Sequence, residues 1–523
     1  MNIATDKPNE ACAVFGVSLS DATGAAGVIY DGLLSLQHRG QEGAGIAVVD
    51  GNHIICHKNS GLVGEVFSDR EFDILPDSRT AVGHTLYSAY GGNKKEHAGP
   101  FVTEYLTGRL ATSLNGKISN AAALRYDLTN NGLYFDTSSD GEVVSSLVAY
   151  CVTKERDEYS GVVRAADILE GAFSFVIACG SRENHGSREN RGGRENHGGD
   201  KLIAVRDPNG FRPLCIGRKI NGRGVGGDAN RDDSGNAGGN ANGNVGGDIG
   251  GSAGGDIGGD VGGYVFASES CALDACGFEF IRDVAPGEVV LIENGKITRQ
   301  GVALKKKTAG QGFCIFEFVY LARPDSVIDG LSVYNARYNM GYELASEFPA
   351  DADVVCGVPD TGLEAASGYS AKSGIPLVSG FFRNRYIGRS FIYPTQIQRE
   401  SAVRLKLNPL SANTRGKRVV MVEDSVVRGT TLEPTVKNLK STGAKEVHLR
   451  IASPPFRHMC GYGTDIDREE NLLANKMDLD EICRMIGADS LGYLSMGGLK
   501  RACAKCALPF CSDCFSGRGE GGK

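Results

Sequence analysis

The clearest hydrophobic pattern in the chain is an apolar run that stops at two acidic residues. Val419 to Val422 contain no polar position and no breaker, which predicts a buried strand of a parallel sheet. Glu423 and Asp424 end the run, and a loop of small and hydroxyl residues follows. Apolar positions with helical spacing lie between Leu432 and Leu439, and Gly443 predicts the end of that helix. We therefore predict a strand, a polar loop and a helix.

The same order of strand and loop recurs before this stretch. Residues 353–362 begin with an apolar run and end in a loop, and a third strand is predicted to end in the cations that start at Arg383. Strands that alternate with helices predict a doubly wound parallel sheet, which binds ligands at the carboxyl ends of its strands. Near the N-terminus, Ala13 to Val17 predict a short strand directly after Cys12.

Two segments lack the pattern of a folded core. Residues 181–200 contain a near-repeat rich in Arg, Glu, Asn and Gly, and residues 221–263 consist largely of Gly, Asn and Asp. Such compositions bury too little apolar surface to offset the chain entropy that folding removes. Both segments are therefore predicted to be disordered, low-complexity insertions between strands.

Composition narrows the class of protein. A length of 523 residues predicts two or three domains, and a formal net charge of −7 argues against a nucleic-acid partner. No apolar run is long enough to span a bilayer, and residues 1–11 lack the apolar core of a secretory signal. We therefore expect a cytoplasmic protein with no membrane partner. Its 15 cysteines are then reduced thiols, ligands or nucleophiles rather than a disulfide framework.

The stretch after Val422 is a candidate site for a sugar phosphate. Acids at the carboxyl end of a strand bind ribose hydroxyls or Mg²⁺, and Glu423 and Asp424 stand at such an end. The N–H groups of the following loop and the N-terminus of the helix suit a phosphate. The alternative is an ordinary strand, loop and helix with a solvated acidic turn.

Cys12 is a candidate nucleophile at the other end of the chain. Removal of residues 1–11 would leave Cys12 with a free α-amino group. An N-terminal cysteine can use its own amine as the general base, so that no separate histidine is needed. The alternative is a buried structural cysteine, which is the commoner role of this residue.

Further polar motifs identify a family to which the N-terminal part is similar. They are Gln-His-Arg-Gly-Gln at 37–41, Leu-Asn-Gly-Lys at 114–117 and Ser-Ser-Asp-Gly at 138–141. With them, residues 12 to about 175 resemble the class II glutamine amidotransferase domain, an α+β N-terminal-nucleophile fold of the αββα sandwich type. The resemblance implies a nucleophile, residues that frame it, an oxyanion hole and a ligand for the glutamine α-amino group. The implied catalytic residues are Cys12, Arg39, Asn115 and Gly116, and the implied glutamine-binding residues are Gly40 and Asp140.

Three positions depart from the pattern of that family. Ala13 stands where Gly usually follows the nucleophile, and Leu114 stands where His usually precedes the oxyanion Asn. Leu86 replaces an Arg that clamps the glutamine α-carboxylate in the family. Loss of such a charge-assisted contact costs about 1.5–3 kcal/mol. Lys94 and Lys95 are candidate substitutes for the missing cation.

The C-terminal half resembles the type I phosphoribosyltransferases, which have an α/β fold. Residues 419–431 match the signature with which that family binds phosphoribosyl pyrophosphate, and Arg383 stands where its mobile flap usually has Lys. The implied phosphoribosyl pyrophosphate ligands are Arg385, Arg389, Lys406, Ser425, Val426, Val427, Arg428, Gly429 and Thr430. The resemblance also implies one Mg²⁺ per subunit, held by Thr361, Glu423 and Asp424.

Paired cysteines close the chain. Their spacing, at positions 503, 506, 511 and 514, indicates a metal rather than disulfides in a cytosolic protein. Zinc bound by these four residues is one interpretation. The resemblance implies instead a [4Fe–4S] cluster, which needs four thiolates. The implied cluster ligands are Cys314, Cys460, Cys511 and Cys514.

Both halves in this order resemble the amidophosphoribosyltransferase family, in the branch with a cleaved propeptide and an iron–sulfur cluster. The implied reaction uses glutamine to convert phosphoribosyl pyrophosphate into phosphoribosylamine, pyrophosphate and glutamate, at the start of purine synthesis. The resemblance also implies a homotetramer that purine nucleotides inhibit by feedback. The implied domains are a propeptide at 1–11, an amidotransferase domain at 12–300, a phosphoribosyltransferase domain at 301–500 and a cysteine-rich tail at 501–523.

Two other functions remain compatible with the sequence. Leu86 and Leu114 are consistent with an ammonia-dependent phosphoribosyltransferase whose glutaminase half has decayed. The C-terminal signature is also consistent with a non-catalytic regulator that binds phosphoribosyl pyrophosphate.

Overall fold

The computed structural model describes most of the chain between residues 12 and 517. The described ranges are 12–20, 24–87, 95–181, 200–220, 261–305, 312–384, 407–429, 431–464, 466 and 468–517. The predicted propeptide and four predicted ligands of phosphoribosyl pyrophosphate lie outside them, namely Arg385, Arg389, Lys406 and Thr430. No helix in the described ranges has the length and apolar character needed to cross a membrane.

The N-terminal half contains two antiparallel sheets. The first sheet has seven strands, and its centre is the strand that begins directly after Cys12. In spatial order its strands are Glu279–Asp283, Cys215–Ile220, Val261–Ala267, Ala13–Leu19, Thr80–Leu86, Gly43–Asp50 and His53–Ser60. The second sheet has six strands. In spatial order they are Lys296–Val302, Glu288–Glu293, Lys201–Arg206, Gly171–Ser181, Gly108–Ile118 and Phe101–Tyr105.

The two sheets stack face to face between layers of helices. Buried apolar side chains such as Val14, Val82 and Val176 fill the space between the sheets. The helix Ala25–Ser35 covers the outer face of the first sheet, and Asp140–Glu155 and Glu158–Ile168 pack with Ala121–Asn130 on the second. The predicted αββα sandwich is therefore confirmed. The helices of this half are Ala25–Ser35, Val63–Val66, Asp69–Asp73, Lys95–His97, Ala121–Asn130, Asp140–Glu155, Glu158–Ile168 and Cys271–Ala275.

The C-terminal half is built on a four-stranded parallel sheet. Its strands, in spatial and chain order, are Val354–Gly357, Arg418–Glu423, Glu446–Ile451 and Ser490–Tyr493. In the strand Arg418–Glu423, Val420 and Val422 face one apolar core whereas Val419 and Met421 face another. A strand buried on both faces explains the uninterrupted apolar run in the sequence.

Helices cover both faces of this sheet. Val333–Glu347 and Leu363–Ser373 lie on one face, and Leu432–Ser441 and Leu479–Ile486 lie on the other. The doubly wound α/β fold predicted for this half is therefore confirmed. The shorter helices are Glu317–Leu321, Ser411–Thr414, Glu469–Asn471, Leu473–Lys476, Met496–Ala502 and Asp513–Ser516.

Two predictions about local structure were wrong, the first of them in part. The third strand expected before Arg383 is divided: Leu377 forms a parallel bridge with Val355 at the edge of the sheet, whereas Phe381–Arg383 pairs antiparallel with Leu407–Pro409 in a separate ribbon. Residues 261–263, which we assigned to the second insertion, begin the strand Val261–Ala267. Backbone pairing with the central strand Ala13–Leu19 overrides the glycine-rich composition of those residues.

The C-terminal half also contains two short strand pairs outside its parallel sheet. Phe313–Cys314 pairs parallel with Phe510–Cys511, which brings the segment between the two halves against the cysteine tail. Val327–Ile328 pairs with Leu331–Ser332 in a small hairpin. The tail therefore packs at the junction of the two halves.

Candidate functional sites

The candidate nucleophile Cys12 is held by the backbone of the neighbouring strand. Its thiol lies 3.6 Å from the Tyr87 carbonyl oxygen, and the Tyr87 N–H donates to the sulfur at 3.3 Å. Arg39 Nε donates to the Cys12 carbonyl oxygen at 3.4 Å. Burial raises the pKa of the thiol, although the Tyr87 backbone and the guanidinium groups of Arg212 and Arg39 oppose this shift. Such a thiol needs a base to become a thiolate.

Asn115 and Gly116 lie near the end of the strand Gly108–Ile118 in the second sheet. The Asn115 side chain is fully buried, and neither its Nδ2 nor its Oδ1 has a hydrogen-bond partner among the described residues. Gly116 has φ +141°, and a Cβ there would lie 2.0 Å from the Ala172 carbonyl oxygen. Only glycine fits this position. The pair therefore presents an unpaired amide on a tightly fixed backbone.

His84 connects this strand to the strand beside Cys12. Its Nε2 lies 3.0 Å from the Leu114 carbonyl oxygen, and its Nδ1 accepts from the Gly99 N–H at 3.2 Å. These bonds require a neutral ring with the proton on Nε2. Burial lowers the pKa of His84 to about 4, which agrees with that state. No sequence motif indicated this contact, which joins the two sheets at the candidate glutaminase site.

Asp140 lies at the N-terminus of the helix Asp140–Glu155, beside the same strand end. The Ile118 N–H donates to Asp140 Oδ2 at 2.9 Å. Burial raises the pKa of Asp140, while the Ile118 N–H and the charges of Lys117 and Arg125 oppose the shift. The carboxylate is therefore held at Ile118, two residues after Gly116 in the same strand, where it can bind an ammonium group.

The substituted positions of this site are all buried. Ala13 packs in the core under the helix Ala25–Ser35, and Leu86 and Leu114 are at most 8% exposed. Of the two candidate substitute cations, Lys94 lies outside the described residues. Lys95 lines an open cavity with Lys58 and Pro100 at the edge of the first sheet, whereas the cations whose charges act on Asp140 are Lys117 and Arg125.

Arg39 belongs to a buried group of charges that the sequence analysis did not identify. We call Arg39, Arg212, Glu269 and Glu317 the four-charge cluster. Arg39 Nη1 donates to Glu269 at 2.6 Å, and Arg212 Nη1 lies 3.8 Å from Glu317. All four side chains are at most 2% exposed. In the sequence, the signal for this cluster is Glu317, the one acid in the apolar run 313–321, because a buried charge requires a partner.

Gly40, next to Arg39 in the chain, packs against the backbone of Thr85 and Leu86. A Cβ at Gly40 would lie 2.7 and 2.8 Å from their carbonyl carbons.

The candidate phosphoribosyl site lies at the carboxyl end of the strand Arg418–Glu423. Glu423, Asp424 and Ser425 are almost completely buried there. Thr361 Oγ1 donates to Asp424 Oδ2, and Ser425 Oγ donates to Asp424 Oδ1 at 2.5 Å. The Val358 N–H donates to the Val422 carbonyl oxygen at 2.9 Å, which places the loop that carries Thr361 beside the acids. Of the three predicted Mg²⁺ ligands, Thr361 and Asp424 are therefore in direct contact, and Glu423 Oε1 accepts from the Asp424 N–H at 3.2 Å.

The loop after the acids is anchored by its valines. The side chains of Val426 and Val427 point into the two cores on opposite faces of the sheet. The Leu473 N–H also donates to the Val427 carbonyl oxygen at 2.9 Å, and Gly429 adopts φ +78°. Because the side chains of Val426 and Val427 are buried in these cores, we expect backbone N–H groups of residues 425–429 to make the predicted phosphate contacts. Arg383 pairs with Asp360 at the base of the predicted flap.

Four cysteines from three separate segments line one small cavity. They are Cys314, Cys460, Cys511 and Cys514. Burial raises the pKa of Cys314 to about 11, and the proximity of Cys460 adds to the shift. Burial and the neighbouring sulfurs also raise the pKa of Cys511 and Cys514. Several thiolates in one buried cavity require positive charge, so the donor set fits a metal cluster.

The four tail cysteines do not all line this cavity. Within the described ranges, no three His, Cys, Asp or Glu side chains converge closely enough to hold one metal ion. Cys503 and Cys506 do not line the cavity, and Cys503 is buried in the apolar core beside it. The cavity therefore does not bring the four tail cysteines together.

Comparisons with known proteins identify the domains in both halves of the chain. The family model of the glutamine amidotransferase domain matches residues 91–225, and that of the phosphoribosyl transferase domain matches residues 338–461. The chain is 40% identical over 509 residues to the amidophosphoribosyltransferase of Archaeoglobus fulgidus, with 97% of each chain covered. It is 39% identical to that of Methanocaldococcus jannaschii, again with 97% of each chain covered.

Solved structures lead to the same conclusion. A structure described as the allosteric regulatory enzyme of purine biosynthesis matches with TM-score 0.77 and 36% identity, covering 97% of this chain and 96% of the other. The glutamine phosphoribosylpyrophosphate amidotransferase of B. subtilis, complexed with ADP and GMP, matches with TM-score 0.76 and 36% identity, covering 97% of both chains. The chain therefore belongs to the amidophosphoribosyltransferase family, the glycosyltransferase-class enzymes that amidate phosphoribosyl pyrophosphate with glutamine in purine biosynthesis.

Proposed function

We propose that Cys12 releases ammonia from glutamine and that the acids at Glu423 and Asp424 hold the phosphoribosyl pyrophosphate that this ammonia attacks. The observation that carries the proposal is the Asn115 amide, which is buried without a partner among the described residues. An unpaired buried polar group costs about 1–3 kcal/mol. The oxyanion of a tetrahedral intermediate is a partner that recovers this cost at the moment of reaction.

The first half-reaction requires that residues 1–11 have already been removed, which gives Cys12 a free amino group. That amine takes the thiol proton, a step made necessary by burial, which raises the pKa of the thiol. The thiolate then bonds to the amide carbon, the carbon–nitrogen bond breaks, and the proton leaves with nitrogen as ammonia. Water hydrolyses the thioester to glutamate and returns a proton to the sulfur. Asp140 binds the α-amino group of glutamine, and Arg39 and Gly40 frame the nucleophile.

The second half-reaction takes place at the carboxyl end of the parallel sheet. Backbone N–H groups of residues 425–430 hold the 5-phosphate, and Glu423 and Asp424 bind the ribose hydroxyls. Ammonia bonds to C1 of the ribose as the bond from C1 to the pyrophosphate oxygen breaks, which gives phosphoribosylamine. Mg²⁺, when bound by Thr361, Glu423 and Asp424, would neutralise the departing pyrophosphate. Arg385, Arg389 and Lys406 are proposed contacts of the same ligand.

The cavity lined by four cysteines is proposed to hold a [4Fe–4S] cluster. Cys314 lies on the segment between the halves, and Cys511 pairs with it in a parallel bridge. A cluster bound there would cross-link this segment, the loop at Cys460 and the tail. Iron and acid-labile sulfide in protein purified without oxygen are the expected result, whereas zinc alone would contradict the ligand assignment.

Regulation, assembly and location are proposed from the family. The B. subtilis relative was solved with ADP and GMP. We accordingly expect purine nucleotides to act on this chain as feedback inhibitors, and we expect a homotetramer in the cytoplasm.

Cys12→Ala tests the proposed glutamine chemistry. Removal of the nucleophile should abolish glutamate formation from glutamine, because no thioester can form. Ammonium-dependent release of pyrophosphate should persist, because ammonium bypasses Cys12. The measurement is glutamate and pyrophosphate in one reaction mixture. Equal glutamate formation by wild type and variant would overturn the role of Cys12.

A second candidate is an ammonia-dependent enzyme with a decayed glutaminase half. The buried Leu86 and Leu114 favour it, because they put apolar groups where the family has Arg and His. Two observations favour the glutamine-dependent enzyme. Cys12 is hydrogen-bonded to Tyr87 and Arg39, and the buried Asn115 amide has no partner among the described residues. The regulator alternative loses its support, because the family model of the amidotransferase domain also matches this chain.

A further inference from the structure

Glu317 comes from the C-terminal half but is buried against the candidate glutaminase site. It is 0% exposed and lies in the helical turn Glu317–Leu321. Arg39 Nη1 donates to Glu317 Oε2 at 2.9 Å, and Arg39 Nη2 donates to Glu317 Oε1 at 2.8 Å. Two parallel bonds between a guanidinium fork and a carboxylate fix the plane of the guanidinium group.

Every nitrogen of the Arg39 guanidinium is therefore engaged. Nη1 also donates to Glu269 at 2.6 Å, and Nε donates to the Cys12 carbonyl oxygen at 3.4 Å. Because the guanidinium group is planar, the orientation that Glu317 gives to the two Nη atoms also sets the direction of the Nε–H bond. Arg39 thus links the Glu317 carboxylate to the backbone of Cys12.

The turn that carries Glu317 is itself held from the phosphoribosyl half. Arg337 Nε donates to the Phe318 carbonyl oxygen at 2.9 Å, and Arg337 Nη2 donates to the Ala322 carbonyl oxygen at 2.7 Å. Phe316 and Phe318, on either side of Glu317, are buried in the core of that half. The carboxylate therefore has a fixed position relative to Arg39.

We infer that Glu317 is a positioning residue for glutamine hydrolysis, contributed to the Cys12 site by the other half of the chain. The inference rests on the proposed role of Cys12 as the nucleophile. Glu317 does not touch the reacting atoms. It acts by orienting Arg39, which holds the Cys12 carbonyl oxygen and, with it, the sulfur and the amino group of the mature N-terminus.

The test is Glu317→Gln, assayed with glutamine and with ammonium as nitrogen donors. Gln keeps the size of the side chain but loses the charge and one of the two acceptor oxygens. We expect glutamine-dependent kcat to fall about 10- to 100-fold, as for a small misplacement of a reacting group. Ammonium-dependent turnover should stay within about twofold of wild type, because the phosphoribosyl site is not touched.

The matched control is Glu288→Gln. Glu288 is also buried, and Arg282 donates to both of its carboxylate oxygens, at 2.7 and 2.8 Å. It lies in the N-terminal half but outside the Cys12 site, so both donors should support wild-type turnover. A second readout is the rate at which iodoacetamide alkylates Cys12 as a function of pH, which should change in Glu317→Gln and not in Glu288→Gln.

The possible outcomes separate this inference from the proposed function. Selective loss of glutamine-dependent turnover in Glu317→Gln, with a changed alkylation profile, supports the inference. An equal loss of turnover with both nitrogen donors would overturn the inference and would show that Glu317 only stabilises the fold. Wild-type glutamine turnover in Glu317→Gln, with loss in Cys12→Ala, would overturn the inference alone. Retained glutamine turnover in Cys12→Ala would overturn the proposed function itself.

Discussion

The two candidate sites are assembled from the chain in different ways. At the phosphoribosyl site, one continuous segment from Arg418 to Ser441 supplies the strand, the two acids, the loop and the helix. At the glutaminase site, Cys12, Asn115 and Asp140 come from three distant segments. Cys12 precedes a strand of the first sheet, Asn115 lies in a strand of the second sheet, and Asp140 begins a helix. Contacts such as His84 to Leu114 and Arg39 to Glu317 hold those segments together. The central segment of the first site is continuous in the chain, with Thr361 added from another loop, whereas the second site depends wholly on tertiary packing.

This difference predicts different responses to mutation. A change in the phosphoribosyl segment removes the electrophile that both nitrogen donors attack. A change at the glutaminase site removes only the supply of ammonia from glutamine. Comparison of the two donors therefore assigns each residue to one site.

The largest effect is expected for Asp424→Asn. Asp424 is buried and bonded to Thr361 and Ser425, and its charge is proposed to hold Mg²⁺ and a ribose hydroxyl. We expect a loss of at least about 100-fold in kcat/KM for phosphoribosyl pyrophosphate, with glutamine and with ammonium alike.

Asp353→Asn is the matched control for Asp424→Asn. Asp353 pairs with Arg418 at the opposite, amino-terminal end of the same sheet. Its loss should leave turnover near wild type with both donors. If Asp424→Asn lost turnover with one nitrogen donor and kept it with the other, the assignment of this acid to the phosphoribosyl site would be contradicted.

The next largest effect is expected for Asn115→Ala. Loss of one oxyanion-hole donor typically lowers kcat about 10²- to 10³-fold. Only glutamine-dependent turnover should fall, and ammonium-dependent turnover should not change. Asn120→Ala, in the same region but bonded to the Ile168 carbonyl oxygen at the surface, should leave both rates unchanged. An equal response to both donors would show that Asn115 is not part of a separate glutaminase site.

A smaller effect, on stability rather than on chemistry, is expected from His84. Burial lowers its pKa to about 4 from an ordinary value of 6.5, so protonation favours the unfolded chain. The stability that neutral His84 provides is fully present above pH 6.5 and is lost as pH falls toward 4. The loss amounts to about 3 kcal/mol over that window.

His84→Gln isolates this contribution. Gln can still donate to the Leu114 carbonyl oxygen and accept from the Gly99 N–H, but it does not titrate. Urea unfolding at pH 6.5 and 4.5 should show a steeper loss of stability in the wild type than in the variant. Carboxyl groups titrate in both proteins, so parallel curves would mean that His84 is not the group responsible.

The parts of the fold that the sequence predicted share one property. The strand Arg418–Glu423 and the helix Leu432–Ser441 carry their own patterns of burial, and both were identified from those patterns. The ribbon Phe381–Arg383 was misassigned because its pairing partner lies beyond the predicted flap. Residues 261–263 were misassigned because their strand is stabilised by its neighbour rather than by its own composition.

Contacts between distant parts of the chain also limit what the sequence reveals of the sites. The acids Glu423 and Asp424 were found as neighbours in the chain, whereas the resemblance alone connected Cys12 with Asn115. For the cysteines, spacing left zinc open, and the cavity joins Cys314 and Cys460 to the last pair instead. The four-charge cluster was not foreseen, because no local pattern connects Arg39 with a carboxylate hundreds of residues away.

The most direct test of the whole account is the nitrogen-donor comparison on the wild-type chain. With phosphoribosyl pyrophosphate and Mg²⁺ present, pyrophosphate release should be supported by glutamine as well as by ammonium. With glutamine, one glutamate should form for each pyrophosphate released. Turnover with ammonium only, and no glutamate from glutamine, would contradict the account and identify the N-terminal half as a decayed glutaminase.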